Sequence, residues 1–158
     1  MKNQFLIIVI CICMLFIGCS HNDTSKINEN SITNNQAIEI LRCFDTKDAE
    51  SLKKMFSPEI IATHDLDTEI TGAMAFYDGT SVSYEIINGG SGKSIREGNI
   101  TEFRMSYAID KICTDKNKSY IISPSVYVVN ETNPQYVGIM YIVIIDNSGN
   151  EFEIGEWK

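Results

Sequence analysis

The residues best suited to acid–base chemistry are His64, Asp65 and Asp67. Imidazole titrates near neutrality, and a neighbouring carboxylate can orient it. Asp65 and Asp67 also stand where a helix would begin, and a cap and a first-turn acid need no catalytic role. A second motif, Gly89-Gly90-Ser91-Gly92-Lys93-Ser94, ends like the phosphate-cradling pattern G-x-x-x-x-G-K-[ST]. Its first glycine would have to be residue 87, which is Ile87, and the residues after Ser94 have no helical pattern to aim amides at a phosphate. A flexible hairpin or a bulge is the expectation there. No cysteine–histidine spacing reads as a metal site, and Asp146, Glu151, Glu153 and Glu156 match no calcium loop. Those four carboxylates are expected to form a solvated acidic edge that discourages strand-to-strand association. The sequence assigns no catalytic residue, metal or cofactor.

The opening stretch carries an address. Lys2 precedes an unbroken apolar run over residues 5–17, closed by Gly18 and Cys19, with polar residues from Ser20 onward. That is the layout of a signal peptide. As a helix the run would be about 20 Å long, shorter than the ~30 Å hydrocarbon core that a permanent spanning helix must cross. Leu15-Phe16-Ile17-Gly18-Cys19 resembles a bacterial lipobox, departing from it at Phe16, where leucine is usual. The resemblance implies that residues 1–18 are removed and that Cys19 takes a diacylglycerol thioether, two acyl chains giving stable anchoring where one would be marginal. An uncleaved anchor and a plain secreted form are the competing readings.

Removal of Lys2 with the signal leaves 12 Lys+Arg against 21 Asp+Glu, a formal charge of −9. A surface this acidic repels phosphate backbones and anionic head groups, so nucleic acid is not an expected partner and membrane attachment must come from the lipid. Of the five cysteines, Cys11 and Cys13 lie in the apolar run and Cys19 at its end, leaving Cys43 and Cys113 in the domain. Cys43 falls off the apolar face of its predicted helix, which favours two separate thiols over a disulfide.

Residues 19–32, polar and rich in Asn and Ser, read as a flexible tether, and residues 33–158 as one α+β domain. A first helix is expected from Thr33, whose hydroxyl and Gln36 form a T-x-x-Q capping box, with Ala37, Ile38, Leu41 and Phe44 on one face. Asp48 should cap a second helix carrying Leu52, Met55 and Phe56, with Pro58 as its stop. A third, capped by Asp65, carries Leu66, Ile70, Ala73 and Tyr77 and ends at Asp78-Gly79. The period then changes to two. Val82, Tyr84 and Ile86 form one inward row, and Phe103, Met105, Tyr107 and Ile109 another. Strands over 120–129 and 136–145 are apolar on much of both faces, and 147–150 turns the chain into a last strand.

Three N-terminal helices packed on a curved antiparallel sheet resemble the cone-shaped fold of nuclear transport factor 2-like proteins. Asp65-Leu66-Asp67 with Ile70, Phe76-Tyr77-Asp78-Gly79 with Ser83-Tyr84-Glu85, Thr114-Asp115 with Tyr120, and Asn133-Pro134 with Val137-Gly138-Ile139 are similar to a group of uncharacterised bacterial lipoproteins bearing a domain of unknown function. The resemblance implies a fold and an address, and no activity. Cone enzymes place Asp, His and Tyr in the cup; here the inward rows offer only Tyr84 and Tyr107 as groups that could hydrogen-bond a ligand, a core role being favoured for both, and His64 is a further candidate for ligand binding. The expectation is a lipid-anchored protein on the extracytoplasmic face of the cell membrane. It would bind a small apolar ligand or an envelope protein without catalysis, and form a homodimer through its outer sheet face. A small enzyme with an acid–base site in the cone cavity and a purely structural envelope module are the alternatives.

Overall fold

The computed structural model describes residues 27–157. Four α-helices precede the sheet in this span: α1 (Glu29–Thr46), α2 (Ala49–Lys53), α3 (Pro58–Thr63) and α4 (Leu66–Phe76). The expected helix count was three. Cys19 and most of the expected tether lie outside the described residues.

Helix α1 starts four residues before Thr33. Asn28 caps it, its side-chain oxygen accepting from the Ser31 amide at 3.1 Å. Thr33 is therefore a fully buried residue inside the helix rather than its cap. The buried stripe runs through Thr33, Ala37, Ile40, Leu41 and Phe44, at helical spacing. Ile38, expected in that stripe, is 52% exposed, and Ile40 takes the core position instead. Cys43 is fully buried and, like the exposed Cys113, a free thiol.

The additional helix is α3. Pro58 was expected to stop a helix, but it stands in the first turn of a new one, where its missing amide costs nothing. Ser57 caps that helix by accepting from the Ile60 amide at 3.2 Å. Asp48 and Asp65 cap α2 and α4 as expected, accepting from Ser51 and Thr68. Gly79 adopts the left-handed conformation, φ 93°.

Five antiparallel strands follow in a simple meander: β1 (Ser81–Arg96), β2 (Asn99–Thr114), β3 (Ser119–Asn130), β4 (Gly138–Asp146) and β5 (Glu151–Gly155), in sheet order β1-β2-β3-β4-β5. One sheet face carries Phe103, Tyr107, Ile109, Ile122, Ile142, Ile144 and Ile154 into the core shared with the helices. Burial of these side chains and of Phe44, Ile40, Leu52, Ile60, Ile70 and Tyr77 is the main stabilising term. Val82 and Tyr84 do not join it. They lie on the edge strand β1 and are 68% and 41% exposed.

The opposite face presents Ser106, Ala108, Ile121, Ser123, Ser125, Tyr141, Val143 and Ile145, all half-buried. In β1 the register against β2 shifts between Asn88 and Ser91, so that Gly89 and Gly90 together face Ser106. This is a β-bulge, with two residues opposite one. No helix of the described residues is long and apolar enough to cross a membrane.

Candidate functional site

The bulge opens one side of a trough on the face away from the helices. Gly90, Ser91 and Gly92 of β1 form that side, Arg104, Met105 and Ser106 of β2 with Ser125 of β3 the floor, and Tyr141 and Trp157 the other side. Its volume is about 500 Å³, within the roughly 300–1,000 Å³ of small-molecule sites. Sheet register builds the floor: Ser106 pairs with Ser125, Ser125 with Tyr141, and Tyr141 with Gly155. Two serines on the floor, with Gly90 and Gly92 on the β1 side, leave room that larger side chains would fill.

Each wall is held by a specific contact. Trp157 stacks on Tyr127, ring centroids 5.4 Å apart and planes 4° apart. Tyr141 donates its hydroxyl to the Glu153 carboxylate. Partial burial, reinforced by that carboxylate, pushes the Tyr141 phenol up to about 12. Across the trough, a Cβ on Gly92 would lie 3.2 Å from Arg104 Nε, so the glycine lets the guanidinium cross close to β1. The bulge depends on Gly89 for the same reason, since a Cβ there would lie 2.5 Å from the Ser106 carbonyl oxygen. Gly89 to Ser94 is thus strand and bulge, as the failed phosphate-loop spacing implied.

A smaller hollow of about 70 Å³ adjoins the bulge at the first turns of α1. Glu29, Asn30, Thr33, Asn88 and Gly89 line it, and it shares Gly90, Ser91, Met105 and Ser106 with the trough.

The candidate residues of the sequence are scattered. His64 follows α3, where Nδ1 lies 3.0 Å from Glu69 Oε1 and Nε2 4.0 Å from Glu156 Oε2. Glu69 also accepts from the Gly155 amide at 2.8 Å, so this pair ties the α3–α4 corner to the end of β5. Asp65 is occupied as a cap, and Asp67 pairs with Lys53 at 2.7 Å. Tyr107 is buried in the core with its hydroxyl 3.4 Å from Gln36 Oε1, and burial raises its pKa. Tyr84 is half-exposed on β1. None of these residues lines the trough. Among the described residues no group of three His, Cys, Asp or Glu side chains is arranged to hold a metal ion.

Sequence patterns alone do not single out Arg104, Ser106, Ser125, Tyr141 and Trp157. Their strands and alternation are legible, but strand register and the bulge bring them together. Residues 39–147 match a family model described as a domain of unknown function (DUF5104). That span contains the bulge, the floor and Tyr141, and leaves Thr33 and Trp157 outside it. No curated protein matches the chain.

Proposed function

For a chain that belongs to the DUF5104 family of domains of unknown function, we propose a non-catalytic binding role. The protein is a lipoprotein on the extracytoplasmic face of the cell membrane, held by lipid on Cys19, and its sheet trough takes a small ligand. The trough is the observation that carries the reading: about 500 Å³ of open-sided volume with aromatic side chains on one wall and hydroxyls on the floor. Its lining makes the ligand amphipathic rather than purely apolar. The helices packed on a single face of the five-stranded meander support the nuclear transport factor 2-like cone as the parent fold.

The address rests on the motif ending at Cys19. In cells fed a fatty-acid analogue, wild-type protein is labelled and Cys19→Ala is not; persistent labelling of the variant removes the lipid anchor. The binding role is tested by native mass spectrometry of the full chain exposed to an envelope extract. Added small-molecule mass that disappears in Tyr141→Ala supports the reading, and a bare protein overturns it.

A homodimer through the same face is a second reading, favoured by the half-buried apolar side chains Ile121, Val143 and Ile145 beside the trough. Sedimentation of the full chain in detergent at micromolar concentration gives a dimer if that face is self-complementary, and a monomer ends this second reading.

A further inference from the structure

Arg104 narrows the class of ligand that the trough can take. It is the single charged side chain among the lining residues, and no Asp or Glu stands with it there. Its guanidinium has neither a hydrogen-bond nor an ion-pair partner among the described residues, whereas Arg42, Lys53, Lys93 and Lys111 each hold a carboxylate. The carboxylate at the far wall, Glu153, accepts the Tyr141 hydroxyl.

Water can satisfy an exposed arginine, so its placement has to carry the argument. Gly92 pairs with Arg104 across the β1–β2 ladder, and a Cβ there would lie 3.2 Å from Nε and 3.5 Å from Cγ. A glycine inside a strand weakens it and marks a close approach. Here it lets the arginine stem lie along β1 at the side of the trough. Towards β3, Arg104 pairs with Tyr127, the residue on which Trp157 stacks. Register thus sets a cationic fork of N–H donors beside an aromatic wall. A guanidinium takes a carboxylate through two parallel hydrogen bonds, and the uncovered part of the indole takes an apolar ring. One cation matches one negative charge. A dianion would leave its second charge uncompensated in a protein of net charge −8, and a cationic ligand would meet Arg104 itself.

We propose that the trough binds a flat, apolar monocarboxylate, its carboxylate held by Arg104 and its ring against Trp157 and Tyr141. This rests on the reading of the trough as a ligand site. Trp157 is the chain's single tryptophan, so its fluorescence reports on the trough alone. The full chain in a neutral detergent is titrated with phenylacetate and phenylpropionate, and with the corresponding amides, which keep the shape and lack the charge. The expected result is a saturable fluorescence change with the carboxylates that is weakened by salt and about tenfold weaker in Arg104→Gln. The amides should bind weakly and equally to both proteins. Arg104→Gln should melt with the wild type, because the side chain it replaces holds no partner in the fold. Carboxylates that bind no better than their amides, or equally well to Arg104→Gln, overturn the anion class and leave the trough. Silence toward both carboxylates also overturns the anion class, and the envelope extract then separates the two readings. An adduct lost in Tyr141→Ala leaves ligand binding standing, and a bare protein removes it as well.

Discussion

Trp157 lies flat on Tyr127, the ring planes 4° apart and the centroids separated by 5.4 Å. One face of the indole is thereby covered, while 42% of the residue remains exposed. The stack turns a residue beyond the last strand into a fixed wall of the trough. Stacked aromatic pairs contribute about 1 kcal/mol beyond buried area. Trp157→Ala is expected to lower unfolding free energy by about that amount, read from a urea midpoint, and to abolish ligand binding in a calorimeter.

Gly89 and Gly90 are adjacent but not equivalent. A Cβ on Gly89 would meet the Ser106 carbonyl oxygen at 2.5 Å, whereas one on Gly90 would meet nothing within 4 Å. Gly89→Ala is expected to destabilise the domain by about 2 kcal/mol through forced backbone movement. Gly90→Ala should stay within about 0.5 kcal/mol of wild type. Paired thermal melts check the contrast, and equal losses would mean that the bulge is not held by this contact.

Ser57 is fully buried and caps α3 through its bond from the Ile60 amide. Ser57→Ala is expected to cost about 1 kcal/mol, the ordinary value of an N-cap. Equilibrium urea unfolding measures it.

The Tyr141 phenol has its pKa raised in the folded protein from 10.0 to about 12, by desolvation first and by the Glu153 carboxylate second. Because the folded value lies above the unfolded one, the protonated phenol contributes stability in full below pH 10, and that contribution is lost as pH rises to about 12. Stability should therefore fall across that window, and Tyr141→Phe should flatten the fall. Phenolate absorbance during an alkaline titration should lose one step near pH 12 in the variant.

The two thiols of the described domain should react differently. Cys113 is exposed, whereas Cys43 is fully buried and desolvation pushes its pKa up to about 11. A brief maleimide pulse on native protein, read by peptide mass mapping, is expected to label Cys113 and spare Cys43. Labelling of both should require denaturant.

Local signals carried much of the fold. Asp48 and Asp65 were legible as caps because their side chains answer amides three residues on, and Phe103, Met105, Tyr107 and Ile109 because strand alternation is strict where one face is buried. Pro58 misled because the same ring that ends a helix also starts one, and Ser57 was the sign that distinguishes the two. Val82 and Tyr84 have an inward pattern but stand near the start of an edge strand where they stay exposed, which alternation cannot reveal. The trough was hidden for a different reason. Ser106, Ser125, Tyr141 and Trp157 become neighbours only once three registers are fixed and β1 has gained its extra residue.

The meander order has a kinetic consequence. Every strand pairs with the one just before it in the chain, so each ladder can close as soon as its own turn has formed. Short loops lower the entropic barrier to such pairings, and a β-rich chain of this topology should fold faster than one whose strands cross over. The exception is the parallel bridge between Phe56 and Ile139, which joins the helical segment to β4 across three intervening strands. Closing that bridge brings together residues far apart in the chain, so its loop-closure cost is larger than that of any strand–strand ladder in the meander.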